Sequence, residues 1–253
     1  SQGCGVNPEC NDGNPCTDDA CSGGVCQHTN ADGSACSDGI ACTNDVCSSG
    51  SCVTTSACPV GRTCNLGTGS CDATPVTVSF QQGVGTPVYS GSVDTFVHAG
   101  LPTTDNGAAA TLIVDGPLPP SGLGDERQIL LRFDTLFTSQ GGPIPDGATI
   151  TSATLQVNIT NPSVDGAELH RMLVPWTASS TWNSLTNGVQ RDGIESVAAA
   201  DVTSLWNGTV PQLHTITVTS SVAAWSAGGV KQGWVFVTPG TGSDSWQFDS
   251  AEG

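Results

Sequence analysis

The sequence predicts a mainly β protein in two parts. Disulfide-rich small repeats occupy residues 1–73, and an antiparallel β-sandwich or jelly roll occupies residues 74–253. Three observations predict this. All twelve cysteines lie between Cys4 and Cys71. The six Trp, six Phe and one Tyr all lie between Phe80 and Phe248. Beyond Pro75 the chain turns to short runs of Val, Ile, Thr and Leu separated by Gly, Pro, Asn and Asp, the pattern of short strands joined by turns.

The cysteine region is a repeat. Residues 10–26 read CNDGNPCTDDACSGGVC and residues 36–52 read CSDGIACTNDVCSSGSC. Both obey C-x-D-G-x-x-C-T-x-D-x-C-x-x-G-x-C. A looser third unit follows with Cys58, Cys64 and Cys71, and Cys4 is left as a partner for either that unit or the first repeat. An even number of cysteines in so short a stretch implies a disulfide framework made in an oxidising compartment. Cys4, Cys10, Cys16, Cys21, Cys26, Cys36, Cys42, Cys47, Cys52, Cys58, Cys64 and Cys71 are all expected to be oxidised, with every pair inside the region. Zinc is disfavoured, because there is no Cys-x-x-Cys pair and His28 is the region's one histidine. With no aromatic before Phe80, this part buries too little apolar surface to offset about 1–2 kcal/mol per residue of backbone entropy. Crosslinks must therefore restrain the unfolded chain, each by roughly 2–4 kcal/mol. The spacing leaves the connectivity open.

Each repeat also fixes carboxylates around an Asp-Gly turn: Asp12 and Asp19 in the first, Asp38 and Asp45 in the second. Oxygen ligands about such a turn are what Ca²⁺ uses. The competing reading is that these aspartates accept hydrogen bonds from turn amides. The repeat resembles Cys-rich arrays of large secreted bacterial proteins, myxobacterial ones especially, and the resemblance implies a spacer or stalk.

In the second part, strands are expected at Val76–Phe80, Val93–His98, Thr111–Val114, Gln128–Asp134, Ala148–Ile159, Glu168–Val174, Leu213–Thr219, Gly233–Thr238 and Ser245–Asp249. Leu155, Val157 and Ile159 alternate with polar residues, as a strand buried on one face requires. Ser221–Ala227 alone looks helical, with Val222 and Trp225 on one face. Many short strands without βαβ alternation indicate a sandwich.

Asp94-Thr95-Phe96-Val97, Asn106-Gly107, Leu112-Ile113-Val114 and Arg127-x-x-Leu130-Leu131-Arg132-Phe133-Asp134 follow one another in order. After them come Ile144-Pro145-x-Gly147-Ala148, Trp176-Thr177, Trp182-Asn183, Val222-x-x-Trp225-x-x-Gly228 and Gly233-Trp234. This ordered set, over about residues 93–252, resembles the DNRLRE-domain family, which is related to disaggregatase-type repeats. The resemblance implies a jelly roll, carried by polysaccharide-degrading enzymes and surface proteins, with some members classed as carbohydrate-binding modules. Such members continue with a further strand of the type Arg-Pro-x-Leu-x-Val, so an open sheet edge that could exchange a strand with another chain is expected. In jelly rolls of this kind a calcium sits where an early strand meets the last one. By that resemblance the ligands here are Asp94, Asp105, Asn106, Asp249 and Glu252.

The sequence argues against an enzyme. The four histidines have no ligand spacing, there is no G-x-S-x-G elbow, and the carboxylate pairs Asp125-Glu126 and Asp192/Glu195 lie in Gly-rich loops. A net charge of −17 with only six basic residues excludes nucleic acid, and no run approaches the roughly 18 apolar residues of a membrane span. Ser1-Gln2-Gly3-Cys4 has no signal-peptide character, so the numbering begins at a mature end or a fragment boundary. Trp206 and Trp246 are the candidates for stacking on sugar rings. The expected function is a secreted or cell-surface, non-catalytic binding or adhesion module for extracellular polysaccharide, on a disulfide-rich stalk. The alternative is a structural subunit of an extracellular filament, sheath or appendage, whose partners are neighbouring surface-protein subunits.

Overall fold

In the computed structural model, residues 3–5, 7–117, 125–205, 212–240 and 244–251 are described. The chain divides into two compact units, Ser1–Thr77 and Val78–Gly253.

The first unit is three hairpins: β1 (Thr17–Ser22) with β2 (Val25–Asn30), β3 (Thr43–Ser48) with β4 (Ser51–Ser56), and β5 (Arg62–Asn65) with β6 (Ser70–Ala73). The first turn is Gly23-Gly24, both at positive φ, and the second is Ser49-Gly50, also both at positive φ. Two-residue hairpin loops of this hand match the twist of the strands they join. Cysteine sulfur forms the interior, with Cys10, Cys16, Cys42 and Cys47 all buried. Within each unit the first and last cysteines pair, as Cys10–Cys26, Cys36–Cys52 and Cys58–Cys71. The others link successive units through Cys16–Cys47 and Cys42–Cys64. Cys4 pairs with Cys21 and so belongs to the first repeat.

The motif's non-cysteine residues lock its turns. Asp12 Oδ1 accepts from the Asn14 amide at 2.8 Å and the Thr17 hydroxyl at 3.0 Å, and Asp19 Oδ2 accepts from the Asp12 amide at 3.0 Å. In the second repeat Asp38 Oδ1 accepts from Ile40 N and Thr43 Oγ1, and Asp45 Oδ2 accepts from Asp38 N. The Asp, Thr and Asp of C-x-D-G-x-x-C-T-x-D thus satisfy amides that a tight turn would otherwise leave unpaired.

The second unit is an antiparallel sandwich. One sheet has the order β13 (Gln212–Thr217), β10 (Thr154–Asn161), β15 (Trp246–Asp249), β8 (Thr111–Val114). The other runs β12 (Val202–Leu205), β11 (Ala167–Arg171), β14 (Trp234–Val237), β9 (Arg127–Phe133), β7 (Ser92–His98). Between them lies a core built from Leu112, Ile159, Leu169, Phe236, Trp246 and Phe248 among others. Helix α1 (Thr219–Ser226) buries Val222 and Trp225 against it. The Trp225 and Trp234 rings sit 4.6 Å apart. A polar chain ties α1 to β11 and β14: the Trp234 indole donates to Ser221 Oγ, Ser221 donates to Asp201, and Arg171 Nε donates to the same Asp201 oxygen at 2.7 Å. The backbone at Gly233, φ +72°, comes so close to Leu131 that a Cβ would overlap its carbonyl oxygen. That fixes why a glycine precedes Trp234.

A second core covers the other face of the five-stranded sheet. Residues 172–200 make an excursion over it, packing Met172, Trp176, Trp182, Leu185 and Val189 on Val97, Leu130 and Val235. The buried Gln128 side chain anchors this layer, accepting from the Val189 amide at 2.7 Å and donating to its carbonyl. Arg132 adds a second anchor, stacking over Trp176 and donating to its carbonyl.

The expected strands match β7 to β11 and β13 to β15 with shifted ends, but Val76–Phe80 is not a strand. Val76 and Val78 are exposed, and Phe80 instead packs edge-on against Tyr89 at 5.3 Å. Residues 148–153 are likewise irregular, so β10 begins only at Thr154. The sequence reading missed β12, a four-residue strand too short to show a period. Trp246, expected as a sugar-stacking residue, is fully buried among Phe236 and Phe248. Its inward position follows from β15, where Trp246 and Phe248 share one face and Gln247 and Asp249 the other.

These positions set stability expectations. Trp246→Ala should destabilise the second unit by about 3–5 kcal/mol, through lost burial and the cavity left behind. Leu213→Ala, at a side chain 61% exposed, should change stability by less than about 0.5 kcal/mol. Urea denaturation followed by tryptophan fluorescence measures both, and equal effects would contradict the placement of Trp246.

Candidate functional site

The half-buried strands of the four-stranded sheet place their polar residues outward. Along β10, Leu155, Val157 and Ile159 enter the core, while Thr154, Gln156, Asn158 and Thr160 are exposed. Register continues this face across the sheet: Gln156 lies opposite Thr215 and Asn158 opposite Leu213 on β13. On the other side come Gln247 and Asp249 of β15, opposite Ile113 and Thr111 of β8. Neighbouring side chains hold one another in place. Asn158 Nδ2 donates to Asp249 Oδ2 at 2.6 Å, Gln156 Nε2 to Thr215 Oγ1 at 3.4 Å, and Gln247 Nε2 to Ser245 Oγ at 3.0 Å. The result is a pleated surface of amides and hydroxyls, with Leu213 and Ile113 as its apolar points. Amides and hydroxyls donate and accept at once, which is what a surface needs to meet sugar hydroxyls.

The residues expected to hold calcium in this domain are distributed as follows. Asp94 is buried on β7 and accepts from the Ala251 amide at 2.9 Å, so the early strand does meet the segment after the last one. Asn106 reaches the same strand, donating from Nδ2 to the Phe96 carbonyl. Asp105 is exposed and closes its own turn on the Gly107 amide. Asp249 lies on the outer face of the other sheet with Asn158. Glu252 falls outside the described residues, as does Trp206. Among the described residues, the groups of three metal-ligating side chains do not include Asp94, Asp105 or Asp249.

Such groups among the described residues lie in the repeat region; three are made of disulfide-bonded cysteines, and the fourth is not. Asp12, Asp19 and His28 bring ligand atoms within 4.8 Å of one another. Asp19 faces His28 across the β1–β2 pair, and His28 Nδ1 lies 2.7 Å from Asp19 Oδ1 and 3.5 Å from Asp12 Oδ2. The second repeat has Thr54 opposite Asp45, so its two aspartates gain no third ligand. The hydrogen bond that the His28 ring donates to Asp19 raises the His28 pKa above its ordinary value and lowers that of Asp19.

The carboxylate pairs considered for acid–base work serve their own loops. Glu126 accepts from Gln128, Asp192 from the Ile194 amide and Glu195 from the Gln190 amide. Asp125 lies between His98 and Arg127. The outer-face residues Gln156, Asn158 and Thr215 were missed as a site. Their signal was the polar half of the same alternation that marked β10 as a strand.

Antiparallel sheets commonly pack one face and leave the other solvated, so the class of the protein comes from comparison with known families. The chain belongs to carbohydrate-binding module family 96, whose family model matches residues 87–253. A comparison with curated proteins found no match.

The His28 pair gives a pH-dependent expectation. A histidine with a raised folded pKa adds stability that is complete below its ordinary value of 6.5 and is lost as pH rises through the raised one. The His28 ring protons, followed by NMR, should titrate with a midpoint above 6.5, and Asp19→Asn should move it back toward 6.5. A midpoint at or below 6.5 in the native protein would contradict the pairing.

Proposed function

We propose that the second unit is a non-catalytic module that holds an extracellular polysaccharide on the outer face of its four-stranded sheet, and that the disulfide-rich unit carries it outside the cell. The observation that carries this reading is the family match across the whole sandwich. The exposed row of Thr154, Gln156 and Asn158 beside Thr215 and Gln247 supports the location. Six disulfides support an oxidising compartment, and no helix among the described residues is long and apolar enough to cross a membrane. The filament-subunit reading draws no support from the family match. Among the described tryptophans, Trp176, Trp182, Trp225, Trp234 and Trp246 are all buried. Stacking of Trp206, outside the described residues, on a sugar ring is proposed separately from the sheet face.

On a glycan array the protein should bind at least one polysaccharide saturably, without releasing reducing ends. Trp206→Ala should lower affinity about tenfold, about 1.4 kcal/mol. Absence of saturable binding would remove the reading, and unchanged affinity in the variant would remove Trp206 from it.

Calcium remains a second proposal, centred on Asp94, Asn106 and Glu252. It is supported by the approach of β7 and the segment after β15, where Asp94 Oδ2 accepts from the Ala251 amide. A ligand that binds only the native state raises the melting temperature by mass action. Millimolar CaCl₂ should therefore raise it relative to excess EDTA. Superimposable melts, with no metal found by elemental analysis, would eliminate the site.

A further inference from the structure

We propose that the first repeat holds a divalent transition-metal ion of the zinc type between Asp12, Asp19 and His28. The three side chains come from separate places in the chain and converge on one point, with a ligand atom of each within 4.8 Å of the others. Asp19 lies on β1 opposite His28 on β2. The Asp12 loop is fixed beside them by the hydrogen bond its amide donates to Asp19 Oδ2 at 3.0 Å. Each carboxylate is divided in the same way. One oxygen serves the fold: Asp12 Oδ1 accepts from the Asn14 amide and the Thr17 hydroxyl, and Asp19 Oδ2 accepts from the Asp12 amide. The other oxygen faces the ring of His28, whose Nδ1 is 2.7 Å from Asp19 Oδ1 and 3.5 Å from Asp12 Oδ2. Hydrogen bonds to the far oxygen of a carboxylate are what orient it as a metal ligand.

The separations suit a small ion. Zinc bonds imidazole nitrogen and carboxylate oxygen at about 2.0–2.2 Å. Ligand atoms at that distance from one centre, and 2.7 or 3.5 Å from each other, subtend about 80° or about 115° there. Those angles lie near the octahedral and tetrahedral values. The charges suit it as well. A proton on Nδ1 makes one good hydrogen bond, to Asp19, and leaves the Asp12 carboxylate beside a like charge. A divalent ion in place of that proton neutralises both carboxylates. The donor set selects the class of ion. An imidazole nitrogen suits zinc, nickel, cobalt or copper, whereas Ca²⁺ takes six to eight oxygens. The side chains of His28 and Asp12 are 38% and 33% exposed, so water has access to complete the coordination.

The second repeat provides an internal comparison. Asp38 and Asp45 make the same turn hydrogen bonds as Asp12 and Asp19, with Thr54 opposite Asp45 where His28 stands opposite Asp19. The turn therefore closes without a histidine. His28 adds a nitrogen ligand to a carboxylate pair that the fold has already positioned.

Isothermal titration of the whole oxidised protein with ZnCl₂ tests this, after treatment with chelator and at mildly alkaline pH, where the ring nitrogen is free of its proton. We expect saturable binding that His28→Gln and Asp12→Asn each weaken at least tenfold, and that Asp45→Asn in the second repeat leaves unchanged. In the unaltered protein, substoichiometric Ni²⁺ should broaden the His28 ring signals in the NMR spectrum ahead of those of His98, His170 and His214. That measurement does not depend on any variant keeping its fold. Absence of saturable Zn²⁺ binding, or binding that His28→Gln leaves unchanged, overturns the proposal, and so does broadening that begins at another histidine. Weakening by Asp45→Asn as large as that by Asp12→Asn overturns the location. Displacement of Zn²⁺ by equimolar Ca²⁺ overturns the assignment to a transition metal.

Discussion

Burial of both faces of the five-stranded sheet is the constraint on which the β-domain depends. One face packs against the four-stranded sheet, and the other is roofed by residues 172–200. The roof is held by polar anchors as much as by apolar packing. A buried amide oxygen without a partner is costly, and the Val189 amide satisfies that of Gln128. With this sheet enclosed, the four-stranded sheet keeps an outer face open to solvent, as the alternation along β10 shows. The strands of that sheet can be apolar on one side only, and this is why their other side is free to carry chemistry.

The same constraint decides what the sequence could reveal. β10 was legible because it is half-exposed, and its alternation reads directly as inside and outside. β14, Trp234–Val237, is buried at all four positions. Such a strand reads as an apolar run without indicating which residue faces which core. The excursion that forms the roof has almost no regular structure, so no periodicity announced it. Its apolar residues are recognisable as core only once the sheet beneath them is known. At Val76–Phe80 the alternation was present but no partner strand was, and the valines stay in water.

The site was legible in a different measure. Composition and resemblance led to a carbohydrate-binding sandwich, and the family match bears out that coarser conclusion. Choosing residues by type was less successful. Trp246 was selected because tryptophan suits sugar rings, yet the parity of β15 sends it inward. The aspartates of the repeats satisfy turn amides, and Asp12 and Asp19 also come together with His28. At Trp246 geometry, which a list of residue types does not contain, chose between two chemically sound roles.

The cysteine pairing carries an evolutionary consequence. Each full repeat closes one bridge by itself, receives one from the unit before and passes one to the unit after. Cys4 starts the series, and the third unit ends it by supplying no further cysteine to pass on. Duplication or loss of one whole 26-residue period would therefore keep every thiol paired. A break that removes or adds an odd number of cysteines would leave a thiol unpaired. Change in the length of the array is thus filtered toward whole units, each of which keeps its own thiols and those of its neighbours paired.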